Sequence, residues 1–285
     1  MNKKSTKKYA VKYTLIPSSW FNTIDVVTKK EIESTYQKMG YQVFNLYLQL
    51  YKFRIYGQDN QHIFYTSIES LRNEMQTVSM KNGELDYNRR PDAKVIVEYL
   101  NKLIELNIIT LENVSDKQWR DFLNPKTKID SDRFLEIAST VKFDINDFNK
   151  ESTKEVNKAK EMTQDDYFIY VPFDIISSYE KYGLNEKYYP LYCMMKKWSH
   201  TYGYTYMRQE KIAAALNITR PTVCKMIEEM NQKYFLVTKP KKNKQNHIEH
   251  HHYVLDGMED EHVNKYYLAH KKHFDKLKEA QKSQS

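Results

Sequence analysis

Four lysines, Lys239, Lys241, Lys242 and Lys244, fall within six consecutive positions. An ammonium is a compact, flexible point charge. It binds a phosphate well and reads a base edge poorly, so this run predicts contact with a polyanionic backbone. Upstream stand Arg208, Lys211, Thr219, Arg220, Thr222 and Lys225. These mix guanidinium, hydroxyl and ammonium groups, a set that can donate to base edges as well as to phosphates.

The surrounding residues define the elements that must hold these groups. Residues 208–216 read Arg-Gln-Glu-Lys-Ile-Ala-Ala-Ala-Leu, a helix, and Asn217-Ile-Thr219 make a tight turn. A second helix, Arg220 to Gln232, then opens with Thr219 at its N-cap. The threonine hydroxyl accepts a free backbone N–H there. Pro221 follows in the first turn, where its missing N–H costs nothing. Val223, Ile227 and Met230 recur at helical spacing and predict an inward stripe facing Ile212 and Leu216. Arg220, Thr222, Lys225 and Lys211 are left pointing outward. Phe235-Leu-Val237 begins a strand, the lysine run forms a tip, and a second strand lies near His250 to Leu255. Helix, turn, helix and basic hairpin are the layout of a winged helix-turn-helix. Such a unit places one helix in a DNA major groove and the hairpin on the phosphates. A free helix N-terminus can also bind a phosphate through its backbone N–H groups.

His247-Ile-Glu-His-His-His252 admits sharper chemistry. A zinc site needs three or four converging ligands. Alternation along a strand puts only His250 and His252 on one face, and no cysteine lies nearby, so no metal is expected. A nicking enzyme of the rolling-circle type carries two histidines around an apolar residue. Here the middle residue is His251, so that reading is the minor one and no enzyme is expected. None of the six glycines falls at phosphate-loop spacing, and no cofactor is expected.

The same order of elements recurs earlier in the chain, which predicts an internal duplication. Tyr13-Thr-Leu-Ile-Pro17 matches Phe168-Ile-Tyr-Val-Pro172. Each precedes an apolar helix. Val43, Leu46, Leu50 and Phe53 mark the stripe of the first, and Leu191, Met194, Met195 and Trp198 that of the second. Ile63-Phe-Tyr65 and Tyr204-Thr-Tyr206 are short aromatic strands. Thr66 and Glu69 have the spacing of a capping box at the head of a small helix, Ser67 to Met75. Residues 76–90 read as a polar loop, and Pro91 to Glu105 as the counterpart of the second unit's outer helix. Leu106 to Leu111 then read as a strand. Arg89, Arg90 and Lys94 are the cations at that helix start. They predict either DNA contact or a dimer surface.

The bulk composition agrees with an anionic partner. The chain has 285 residues, with Lys+Arg 45 against Asp+Glu 37 and a net charge of +8. This length suits two domains. Lys3, Lys4, Lys7 and Lys8 add a basic arm over residues 1–10. Cys193 and Cys224 sit in apolar helical patterns and predict buried thiols in a reducing cytosol. The charged N-terminus lacks a signal peptide's apolar region, and no apolar run is long enough to span a bilayer. The tyrosines number 24 and must mostly be core and core-edge residues. Residues 116–166 read as a polar linker with a short helix around Arg133 to Thr140. In the tail, Val263, Tyr267, His270, Phe274 and Leu277 share one face of a terminal helix over 258–285.

The second unit resembles the N-terminal winged-helix domains of RepA_N-type plasmid replication initiators and of related DnaD-like primosomal proteins. The resemblance rests on Phe168 to Pro172, Leu191-Tyr192 to Trp198, Tyr206 to Leu216, Thr219-Arg-Pro-Thr-Val223 and Phe235-Leu-Val237. It covers about a third of the chain well and the first unit weakly. It implies binding to repeated origin sites and recruitment of host replication proteins. The second winged unit and the lack of a clear DnaD-type C-terminal domain depart from that pattern.

The expected fold is therefore mainly α with small β wings, an α+β chain of two winged helix-turn-helix domains in tandem. The first spans 11–115 and the second 167–257. The expected function is sequence-specific binding of double-stranded DNA in the cytoplasm, on nucleoid or plasmid, as a plasmid or phage replication initiator. A transcriptional regulator and a protein-interaction adaptor are the alternatives, and a homodimer is compatible with each.

Overall fold

Ser34 fixes the start of the first long helix. Its Oγ accepts from Gln37 N at 3.1 Å, and Gln37 Oε1 accepts from Ser34 N at 2.8 Å, a reciprocal cap. The helix, α1, runs Thr35–Leu50. Val43, Phe44, Leu46, Tyr47, Leu48 and Leu50 are all buried, so it is apolar nearly all round and occupies the centre of its unit. This is a computed structural model. It describes residues 13–24, 28–56, 62–76, 78–81, 84–87, 90–141, 168–173, 175, 179, 182–199, 204–233, 235–243 and 245–255. The basic arm, Arg89, Lys244, the polar stretch 142–167 and the terminal helix expected over 258–285 lie outside the described residues.

The chain is mixed α/β, with small antiparallel sheets, and divides into two compact units at Pro190/Leu191. The sequence reading begins the second domain at 167. The difference comes from β1 (Tyr13–Pro17) and β8 (Phe168–Pro172), which pair with each other. Leu15, Ile16, Ile169 and Val171 are buried in that ribbon. The two strands set equivalent by the repeat are thus partners. The register runs Tyr13↔Pro172 to Pro17↔Phe168, with the central residues Leu15 and Tyr170 opposite one another.

Within the first unit, β2 (Arg54–Tyr56) and β3 (His62–Ser67) precede α2 (Ile68–Glu74). The hairpin β4 (Val78–Lys81) and β5 (Glu84–Tyr87) follows, then α3 (Ala93–Glu105) and β6 (Ile109–Leu111). Helix α4 (Asp116–Leu123) and β7 (Phe134–Ser139) complete it. The sheet order is β2-β3-β7-β6, antiparallel throughout.

Four expectations are corrected here. Residues 133–140 form a strand, not a helix, because β7 is clamped between β3 and β6 with Leu135, Ile137 and Ala138 buried. Residues 116–123 are a helix held by buried Trp119 and Phe122, not linker. Val78–Lys81 and Glu84–Tyr87 pair as antiparallel strands within the stretch expected as a polar loop. The cap of α2 is Ser67, whose Oγ accepts from Ser70 N at 3.1 Å. Thr66 is buried in the strand and donates to Ser67 O at 3.4 Å.

Tyrosines serve as core residues in this unit. The hydroxyls of Tyr47 and Tyr51 are 3.0 Å apart, and His62 Nδ1 lies 3.2 Å from Tyr51 Oη. Burial first, and Arg54 second, push the His62 imidazole down to about 3, so it is neutral at neutral pH.

The helix α5 (Tyr188–Ser199) leads into the second unit. Leu191, Tyr192, Cys193, Met194 and Met195 are buried in it. Trp198, expected inward, is 37 % exposed, while Lys197 is buried with its Nζ 5.5 Å from the indole. Helices α6 (Gln209–Leu216) and α7 (Arg220–Gln232) and strands β9 (Leu236–Lys242) and β10 (Ile248–Val254) follow. Thr205 forms a bridge to His252 on β10. Both units therefore share one order. An extended segment precedes two helices, two antiparallel strands come after them, and that first segment pairs with the last strand. Among the described residues, no helix is long and apolar enough to cross a membrane.

Candidate nucleic-acid interface

The turn between α6 and α7 is set by Asn217, which takes the left-handed conformation at φ 52°. Asparagine is one of the few residues with a side chain that adopts it readily. Thr219 then caps α7, its Oγ1 accepting from Thr222 N at 3.3 Å. The Thr219 and Thr222 hydroxyls lie 2.8 Å apart, so each already has a partner. Val223, Met226, Ile227 and Met230 are buried, as are Ile212 and Leu216 on α6. This is the inward stripe read from the spacing, with Met226 added.

The opposite face exposes Arg208, Lys211, Thr219, Arg220, Thr222 and Lys225. Arg220 Nε lies 3.1 Å from Glu210 Oε1, and Lys225 Nζ 3.8 Å from Glu229 Oε1. The Arg220–Glu210 pair is exposed on both sides and contributes little, whereas Glu229 is half-buried. Cys224, expected buried, is half-buried and donates to Gln209 Oε1 at 2.9 Å. Cys193 is fully buried, and burial pushes its thiol up.

The tip of the β9–β10 hairpin is closed by Asn243, whose Oδ1 accepts from Gln245 N at 3.0 Å and His247 N at 2.9 Å. Asn246 takes a positive φ of 67°. Lys241 and Lys242 are exposed on β9, and Lys239 is half-buried. Pairing runs Lys239↔His251 and Lys241↔Glu249.

A connection not expected from the sequence holds the β9–β10 hairpin to α7. Asn231 Nδ2 donates to Ile227 O at 2.7 Å and to Thr238 Oγ1 at 2.9 Å, while Asn231 Oδ1 accepts from Thr238 N at 2.9 Å. Thr238 Oγ1 then lies 2.8 Å from His252 Nδ1. The available signal was a polar residue, Asn231, at the end of an apolar helical stripe. His250 and His252 share a strand face as alternation requires, but His252 Nδ1 is spent on Thr238. Burial, then His250 and His251, push the His252 imidazole down to about 4. Among the described residues, no group of three His, Cys, Asp or Glu side chains could hold a metal ion.

The first unit treats its cations differently. Arg90 Nη1 donates to Glu69 Oε1 at 2.7 Å and also to Asn73 Oδ1. Arg72 holds the other Glu69 oxygen at 2.6 Å and donates to Pro91 O at 2.8 Å. Lys94 Nζ donates to Phe122 O at 3.1 Å and to Asn124 O, at the C-terminal end of α4. Arg90 and Lys94 are thus engaged in joining elements of their own unit, which explains their presence without a ligand. No family model, characterised protein or solved structure matches the chain.

Proposed function

We propose that the chain carries two winged helix-turn-helix units in tandem, the second of which binds double-stranded DNA sequence-specifically. The observation that carries this reading is the convergence in one unit of a capped helix with a polar outer face and a lysine-bearing hairpin. The helix α7 presents Arg220, Thr222 and Lys225, with Lys211 at its edge. The hairpin adds Lys239, Lys241 and Lys242 for phosphates. The shared order of elements in both units supports the tandem winged-helix reading. The resemblance to RepA_N-type and DnaD-like domains favours a plasmid or phage replication initiator, acting in the cytoplasm with host replication proteins as partners.

The test is footprinting of the full chain on fragments of its own replicon, with competitor DNA at physiological salt. Tight protection of repeated sites within an origin is the expected result. Arg220→Ala or Thr222→Ala should reduce discrimination between sites, by about 1–3 kcal/mol for a lost base contact. Protection confined to an operator points to a transcriptional regulator instead. Weak binding everywhere overturns the DNA reading in favour of a protein adaptor.

A further inference from the structure

We propose that the outer face of the wing sheet in the second unit is a stacking platform for the unpaired bases of single-stranded DNA. Thr205 N donates to His252 O at 2.9 Å and His252 N to Thr205 O at 2.8 Å, an isolated antiparallel bridge that sets residues 204–206 beside β10. Alternation then divides the sheet. Leu236, Thr238, Thr205 and His252 face α7, where Thr238 meets Asn231. Tyr204, Tyr206, Lys239, Lys241, Glu249, His251 and Tyr253 occupy the other face.

The rings on that face are contiguous. Tyr204 stacks on His251 with centroids 4.2 Å apart and planes at 16°. Tyr253 lies 5.5 Å from Tyr204, and Tyr206 lies 6.0 Å from His251. Lys239 Nζ sits 5.0 Å from the Tyr253 ring and Lys241 Nζ 5.6 Å from the Tyr204 ring. Tyr206 is 56 % exposed, so its ring is within reach of a ligand. The one carboxylate, Glu249, accepts from Asn243 Nδ2 at 2.9 Å and lies 3.7 Å from His251 Nε2.

Aromatic rings interleaved with ammonium groups suit a single strand specifically. Its bases offer free π faces to the rings, while its phosphates need cations at each step. A duplex hides its base faces in its own stack, so these rings add nothing to duplex binding. The platform lies on the face of the hairpin away from α7, with His251 buried at its centre and Tyr206 and Lys241 exposed at its edge. This inference rests on the reading of the second unit as a DNA-binding unit, and it adds a second substrate, the strand exposed when a duplex opens.

The experiment measures fluorescence anisotropy of the full chain with a labelled oligothymidylate of about 12 nucleotides. A labelled duplex from the chain's own replicon is measured in parallel. The wild type should bind both. Tyr206→Ala should lose about tenfold or more in oligothymidylate affinity and leave duplex affinity unchanged, whereas Tyr206→Trp should keep both. Duplex binding without oligothymidylate binding overturns the platform alone and leaves this face to a protein partner. Binding of neither overturns the duplex reading as well. Oligothymidylate binding indifferent to Tyr206→Ala places the strand elsewhere and overturns the platform. Tighter binding of oligouridylate than of oligothymidylate overturns the DNA assignment in favour of RNA.

Discussion

His252 shows how one buried side chain ties the wing to solution pH. Thr238 Oγ1 accepts from Asn231 Nδ2 and lies 2.8 Å from His252 Nδ1, a bond that either group can donate. Burial, then His250 and His251, lower the imidazole to about 4, so it is neutral at neutral pH. The unfolded chain titrates near 6.5. Between these values the unfolded chain binds a proton that the folded chain refuses. The stabilisation is therefore complete above about pH 6.5 and is lost as pH falls toward 4. Between pH 7 and 5 the loss from this residue is about 2 kcal/mol. His62, lowered to about 3, adds a loss of the same sign. Denaturant unfolding at the two pH values measures the sum. His252→Asn retains an acceptor for Thr238 and removes the titration, so its stability should fall less between pH 7 and 5. An unchanged slope would mean that His252 does not hold this neutral, bonded position.

At the scale of elements, α1 carries a break that its apolar pattern conceals. Gly40 adopts φ 76°, ψ 163°, a conformation outside the helix and open almost to glycine alone. A Cβ there would meet nothing within 4 Å, so the cost of Gly40→Ala is in the backbone and not in a clash. The variant should lose about 1–3 kcal/mol in chemical unfolding. A neutral or stabilised variant would mean that α1 runs straight through residue 40, since alanine is preferred in a continuous helix. The apolar pattern placed α1 from Tyr41 onward and not its first turns from the Ser34 cap, and it placed α6 and α7, because stripes and caps are local signals. The strands were harder. Partners β1 and β8, or β3 and β7, are far apart in sequence, and short-range patterning does not reveal them. Phe134 to Ser139 hides its alternation because Ala138 is buried beside Ile137. The hairpin β4–β5 was legible but overlooked, since the residues between Lys81 and Glu84 are Asn82 and Gly83, a strong hairpin dipeptide. Exposure of the outer residues of α7 was legible too. The use of Arg90 and Lys94 within their own unit was not, because their partners Glu69 and Phe122 belong to other elements.

For the whole molecule, the distribution of the +8 net charge matters more than its size. Arg72, Arg90 and Lys94 of the first unit hold carboxylates and carbonyls, while Lys29, Lys30, Lys38, Lys126 and Lys128 are exposed there, as Arg208, Lys211, Lys225, Lys241 and Lys242 are in the second. The proposed duplex binding by the second unit predicts that counterions are released chiefly from that unit's surface. With about five phosphate contacts, log K falls against log salt with a slope of about −4.5. Affinity then drops by roughly 500-fold between 50 and 200 mM. Lys241→Ala with Lys242→Ala should make that slope shallower by about 2 and weaken every duplex alike, because ammonium–phosphate contacts carry no sequence information. Arg90→Ala should leave the slope unchanged, as its guanidinium is already committed to Glu69 and Asn73. Titrations over a salt series with the wild type and these variants make the comparison. A slope that shifts with Arg90 and not with the wing lysines would move the phosphate-binding surface to the first unit. A flat dependence would remove the electrostatic basis for duplex binding and make a protein the partner of the second unit.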